Sequence, residues 1–158
     1  DAVYFRTQIE ALLEGPGVEF IGEINDEQKT QFLSDALALL FPIDWPEPFG
    51  LSMIEAMACG TPVLAFRCGS VPEVVEDGLT GAIVDTMDEA IAALPRVIAL
   101  DRKKVRQRFE QRFSAARMAK DYVAVYRSLL AAQSKAGGED RDDQPQLIGD
   151  AAPGLQVA

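Results

Sequence analysis

Residues 37–63 read LALLFPIDWPEPFGLSMIEAMACGTPV, and the punctuation of this stretch decides the fold class. LALLF (37–41) is a continuous apolar run, as expected of a strand buried on both faces. Pro42 ends it. Prolines 42, 46 and 48 then crowd one loop; each fixes φ and removes a donor, so the loop is stiff. LSMIEAMA (51–58) reads as a helix ending at Gly60, and PVLAF (62–66) as the next strand. Strand, stiff loop, helix and strand describe a parallel βαβ unit with a right-handed crossover.

The same alternation continues outward. Residues 2–14 read as a helix with Phe5, Ile9, Leu12 and Leu13 on one side, and VEFIG (18–22) as a short strand. Asp26 is placed to cap a helix running to about residue 35, with Phe32 and Leu33 facing inward. VPEVVED (71–77) reads as a short helix and GAIVD (81–85) as a fourth strand. Helices follow over 87–99, over 101–113 with Val105, Phe109 and Phe113 at fourfold spacing, and over 115–132. The last has Ser114 as its N-cap and Met118, Tyr122, Val125 and Leu129 as an inner stripe. The expected fold is α/β: a Rossmann-like, three-layer domain with a mostly parallel sheet over residues 1–133. Residues 134–158 are rich in Gly, Pro, Asp and Gln and are expected to form a disordered tail.

Composition removes several function classes. The chain has 158 residues, 15 basic and 25 acidic, a net charge of −10 and no histidine. Mechanisms built on a Ser-His or Cys-His pair, and His-ligated zinc, are excluded. A chain this acidic is a poor match for nucleic acid, whose phosphates need clustered Lys and Arg. No apolar run approaches the roughly 18 residues needed to span a bilayer, and the opening DAVYFRTQIE lacks an apolar signal core. Cys59 and Cys68 form no metal-ligand pattern and read as reduced thiols, which places the protein in the cytoplasm.

Charge is uneven. Residues 102–127 hold nine basic groups and only Glu110 and Asp121, a net +7. These helices are expected to present a solvated basic face; the alternative is contact with a second domain or peripheral contact with an anionic inner-membrane surface.

In open α/β sheets ligands bind at the carboxyl ends of the strands. The loop after 37–41 holds Glu47 between two prolines, which suits a carboxylate that must meet a ligand at fixed geometry. Phe49, Gly50, Leu51 and Ser52 then present unpaired N–H groups at a helix N-terminus, a place that favours phosphate. Glu55 lies on that helix, eight residues after Glu47. A phosphate cradle between two carboxylates fits a nucleotide sugar, with ribose and hexose hydroxyls flanking a diphosphate. Two plainer readings stay open. Ser52-x-x-Glu55 also satisfies a capping box, and Glu47 could be an ordinary surface acid. Ser70 and Glu73 are either ligand contacts or caps of the helix 71–77. Trp45 either walls the pocket or packs the loop. Met53 and Met57 read as core.

At this point the residues resemble a family. EPFGLSMIEAMACGTPV (47–63) is similar to the E-x7-E signature of retaining glycosyltransferases of family 4, which have the GT-B fold. VEFIGEINDEQK (18–29), LLFPIDWPEPFG (39–50) and GSVPEVVEDGLTG (69–81) fit the same family in order and spacing. The resemblance implies the carboxy-terminal, donor-binding half of such an enzyme. It places Glu55 at the ribose hydroxyls and Glu47, the catalytic candidate, at the donor hexose. The backbone of Phe49 to Ser52 would line the hexose and diphosphate, and Ile24 to Lys29 would lie near the base. It implies hexosyl transfer with retained anomeric configuration and without a bound metal or other cofactor; base, hexose and acceptor are not specified. The resemblance also expects an amino-terminal acceptor-binding half and an opening strand with an Arg/Lys pair that neutralises the leaving diphosphate. Neither is found here, so the fold is expected to be incomplete at its amino terminus and the isolated chain inactive. One rival is a GT-B sugar-nucleotide epimerase, disfavoured by the absence of histidine. The other is a non-catalytic nucleotide-sugar-binding or interaction remnant of a truncated gene.

Overall fold

Three apolar runs pair into one parallel sheet in the order β1-β2-β3: β1 (Leu39–Phe41), β2 (Val63–Phe66) and β3 (Gly81–Val84). The computed structural model describes residues 2–136, with side chains to residue 133. Leu39 pairs with Val63, and Val63 with Gly81, so the carboxyl ends of all three strands share one edge. The helices are α1 (Ala2–Tyr4), a π-helical turn (Phe5–Ile9), α2 (Glu10–Leu13), α3 (Asp26–Asp35), α4 (Leu51–Ala58), α5 (Val71–Val74), α6 (Met87–Ile98), α7 (Arg102–Phe113) and α8 (Ala115–Ala136). The chain divides into two units at residues 114 and 115.

The period-2 alternation of β2 and β3 gives the sheet two buried faces, but β1, expected to be buried on both, covers only residues 39–41 and leaves Leu40 exposed. Val63 and Ala65 of β2 join Phe41, Met53, Met57, Val71 and Val105 in one core cluster. Leu64, Ala82 and Val84 turn the other way and meet Ala93 and Val97 of α6. Helices thus cover both faces, the three-layer α/β arrangement that the sequence predicts. Met53 and Met57 are fully buried core residues.

The basic segment is a solvated face only in part: Lys103, Lys104, Arg117, Lys120 and Arg127 are exposed as expected, but four arginines of α7 bond within the fold. Arg102 of α7 donates to Ala36 O at 2.5 Å, Ser34 O at 2.7 Å and Thr61 Oγ1 at 2.8 Å. Arg106 donates to Ala58 O, and Arg112 to Val74 O at 3.1 Å and to Glu73 O. These carbonyls end α3, α4 and α5. The last carbonyls of a helix have no intrahelical donor and carry the negative pole of its dipole. The α7 guanidinium groups supply both the donor and the positive charge. Arg108 and Arg112 also converge on Glu76 at 2.8 and 2.6 Å. Spacing along a single helix cannot reveal this, because the acceptors come from elements up to 68 residues away.

Other expectations are corrected. Residues 18–22 form no strand; they are exposed and have no ladder partner among the described residues, and an extended segment without one is not a strand. The ring of Phe20 instead lies 6.3 Å from that of Phe5. The amino-terminal helix is interrupted by the π turn and buries none of its residues. Asn25, not Asp26, caps α3, in a capping box with Gln28. Leu33 is buried but Phe32 is exposed. α5 ends at Val74, where Val75 turns extended. In the second unit Met118, Tyr122, Val125 and Leu129 of α8 are exposed rather than an inner stripe, since a lone helix has nothing within its described unit to pack on. The expected tail begins at residue 134, outside the described side chains.

Candidate functional site

The loop between β1 and α4 is built to hold one carboxylate. Gly50 takes a left-handed φ of 73° to turn the chain into α4, and a Cβ there would run into the Met53 side chain. Its N–H donates to Glu47 Oε1 at 3.2 Å, and Met53 N–H donates to Gly50 O at 3.0 Å to close the first turn. Glu47 N–H donates to Trp45 O at 2.8 Å, and Ser70 N–H donates to Glu47 O at 3.0 Å. Glu47 is therefore fixed through its main chain from two sides and through its carboxylate from a third. It is half-buried, which is more than a plain surface acid would be.

Glu55 sits one turn further along α4 and faces α3. Lys29 Nζ donates to its Oε1 at 2.8 Å and lies 3.2 Å from Asp26 Oδ1. The hydrogen bond to Glu55, and then that to Asp26, raise the Lys29 pKa above its ordinary 10.5. Asp26, Lys29, Thr30, Leu33, Glu55 and Cys59 line an open pocket of about 330 Å³. An ammonium donor between two carboxylate acceptors suits a ligand carrying hydroxyls, which can both give and accept hydrogen bonds.

The residues singled out in the sequence thus fall into two groups, Glu47 with Gly50 and Glu55 with Lys29, at the start and second turn of one helix. The capping-box reading fails: Gly50 is the N-cap, no side chain caps the helix, and the Glu55 carboxylate goes to Lys29. Ser52 and Leu51 open α4, half-buried and exposed respectively. The Phe49 ring packs edge-on against Phe113 at 6.4 Å and is still partly exposed. Ile24 is half-buried in the extended approach to α3, apart from the residues lining the Lys29–Glu55 pocket. Trp45 is 61% exposed and encloses nothing. Ser70 does not cap α5 with its side chain; its hydroxyl is buried without a partner among the described residues. Sequence reasoning missed Asp26 as the second acceptor for Lys29, although the i,i+3 spacing was there to read. A wholly apolar pocket of about 190 Å³, which includes Leu40, Phe66, Met87 and Ile91, opens between the sheet and α6. It has no polar group to orient a ligand. Among the described residues no group of three or more His, Cys, Asp or Glu is arranged to hold a metal. No described helix is long and apolar enough to cross a membrane.

A parallel sheet covered by helices, with an acid-bearing loop and a helix N-terminus at its carboxyl edge, has the Rossmann-like form of one half of a GT-B fold. Residues 1–114 match the family described as Glycosyl transferases group 1, and the chain belongs to that family. It is similar to the D-inositol 3-phosphate glycosyltransferase of Saccharomonospora viridis, with 38% identity over 54% of this chain and 22% of that protein. It is also similar to the alpha-maltose-1-phosphate synthase of Mycobacterium tuberculosis, with 37% identity over 66% of this chain and 30% of that protein. Among solved structures, sucrose-phosphate synthase from Thermosynechococcus elongatus superposes with a TM-score of 0.64 at 33% identity, over 80% of this chain and 35% of that one. Anabaena HepE in complex with UDP-glucose shares the fold, with a TM-score of 0.63 at 24% identity, over 80% of this chain and 36% of that one. The chain spans about a third or less of the length of these relatives.

Proposed function

We propose that this chain supplies the donor-binding part of a hexosyltransferase of the retaining, family-4 type, using a nucleotide sugar and no bound metal. The observation that carries the reading is the pair of acidic positions on either side of the α4 N-terminus: Glu47 fixed by Gly50, and Glu55 paired with Lys29. In this reading Glu55 accepts from the ribose hydroxyls while Lys29 holds its carboxylate in place. The amides at Leu51 and Ser52 and the helix dipole receive the diphosphate, while the Gly50 amide stays with Glu47. Glu47 faces the hexose, where a carboxylate stabilises the positive charge that develops at the anomeric carbon as the leaving diphosphate departs. Ile24 and the start of α3 lie toward the base.

Transfer needs more than this chain carries, since an acceptor site and a cationic clamp on the leaving group must come from elsewhere. The isolated chain therefore binds donor and turns over none. One of the relatives named above is by name a D-inositol 3-phosphate glycosyltransferase, which supports the transferase class. A cytoplasmic setting fits this chemistry. Peripheral contact with an anionic membrane is a weaker part of the reading, because four α7 arginines are already engaged within the fold. The test is titration of the chain with UDP-glucose, ADP-glucose and GDP-mannose by calorimetry. Saturable binding of one, lost in Glu55→Ala, is expected; no binding of any would refute the reading.

A further inference from the structure

The stiffness of the Glu47 loop has a second source besides its prolines. The turn after β2, Cys68-Gly69-Ser70, lies directly against it. Gly69 has a φ of +53°, and a Cβ there would fall 2.5 Å from both Glu47 N and Glu47 O and 2.8 Å from Pro46 C. Backbone cannot move aside for a methyl group as a flexible side chain can, so only glycine allows the two chains this close. The next residue makes the bond that the approach permits, Ser70 N–H to Glu47 O at 3.0 Å. The contact uses only the Ser70 main chain, and the Ser70 hydroxyl takes no part in capping α5. On the far side of Glu47 its carboxylate holds the Gly50 amide.

We infer that the Gly69–Ser70 turn is a positioning element for Glu47, a latch from the end of β2 that sets where the carboxylate meets the α4 N-terminus. Gly69 and Ser70 touch no ligand in this role; they act through the main chain of Glu47. Its bearing on sugar binding rests on the reading of Glu47 as the hexose-facing carboxylate, but the latch itself is testable without any ligand.

Amide NMR on the full chain decides it. The Ser70 amide reports the latch through its exchange rate, and the Gly50 amide reports Glu47 through a proton shift that changes as the bonded carboxylate protonates. Glu47→Gln cannot titrate and is the reference for that second signal. In Gly69→Ala the Ser70 amide is expected to exchange about tenfold faster or more. The pH-dependent change at Gly50 is expected to fall to less than about half. The Val63 and Val84 amides in the sheet stay as they were. Gly78→Ala is the control: Gly78 also has a positive φ, of 77°, but nothing stands within 4 Å of an added Cβ. It should leave both reporters unchanged, although it pays the same left-handed strain. Gly69→Ala behaving like wild type at both amides would overturn the inference. So would a wild-type Gly50 amide that titrates no differently from Glu47→Gln. If Gly69→Ala does not fold, the wild-type Ser70 amide decides, protected like the sheet amides or exchanging freely. Adding UDP-glucose, ADP-glucose and GDP-mannose in turn to the wild-type sample tests the other reading separately: no shift with any of them counts against a donor site and leaves the latch result standing.

Discussion

Lys29 on α3 and Glu55 on α4, 26 residues apart in sequence, meet at 2.8 Å and make one hydrogen-bonded unit at the open pocket between these helices. Each side chain is only about a third exposed, so the pair is screened but not fully hydrated. If Glu55 takes the ribose, Lys29 is what keeps its carboxylate aimed. Lys29→Met is then expected to weaken nucleotide-sugar binding about tenfold, read by calorimetry. Lys29→Arg should recover part of that affinity.

The same pair has a pH signature. Its partners raise the Lys29 pKa above 10.5, so its contribution to stability is fully present below that pH and is lost as pH rises through the raised value. On the alkaline side, wild type should lose melting temperature relative to Lys29→Met as pH rises above 10.5. A gap between the two curves that stays constant across the alkaline range would show that the ion pair carries none of it.

Glu47→Gln keeps an oxygen for the Gly50 amide and removes the charge. In a protein that joins this chain to an acceptor-binding half, turnover is expected to fall about a hundredfold or more while donor affinity changes less than about threefold. Steady-state kinetics beside equilibrium titration separate the two quantities. Equal losses in both would assign Glu47 to holding the donor alone.

Gly50→Ala forces a left-handed φ on a residue with a Cβ and drives that carbon into Met53. A loss of about 2 kcal/mol or more is expected in urea unfolding. The Glu47 carboxylate should lose its amide partner at the same time.

Arg102 bonds two carbonyls near the end of α3 and the Thr61 hydroxyl, while Thr61 itself donates to Leu33 O at 2.6 Å. Arg102→Met should cost about 2–3 kcal/mol, because the carbonyls are left without a donor. Thr61→Val should cost about 1–2 kcal/mol, and the double substitution less than the sum of the two, since they share one network. Additive losses in urea unfolding would show that the two act independently.

Much of this was legible in residues 37–63 alone. The apolar run, the three prolines, the glycine before an apolar helix and the next apolar run have local causes: fixed φ, missing donors and side-chain periodicity. They yielded the parallel βαβ unit, and they pointed to the two acids of the candidate site, without any knowledge of what lay nearby. VEFIG shows the limit of that reasoning. Its pattern suits a strand, yet a strand exists only where a neighbour offers a ladder, and no pattern internal to five residues reports the neighbour.

What tertiary structure decided was pairing across distance. Ser52-x-x-Glu55 and Lys29 are equally readable as text, but whether Glu55 caps its own helix or reaches α3 depends on where α3 lies. The α7 arginines look like a solvated basic face until three helix ends arrive with carbonyls to be met. Gly69 looks like any turn glycine until the backbone of Glu47 stands where its Cβ would be. Charge, donors and small size are properties of a residue; the partner that gives each its consequence is set by the packing of segments far apart in the chain.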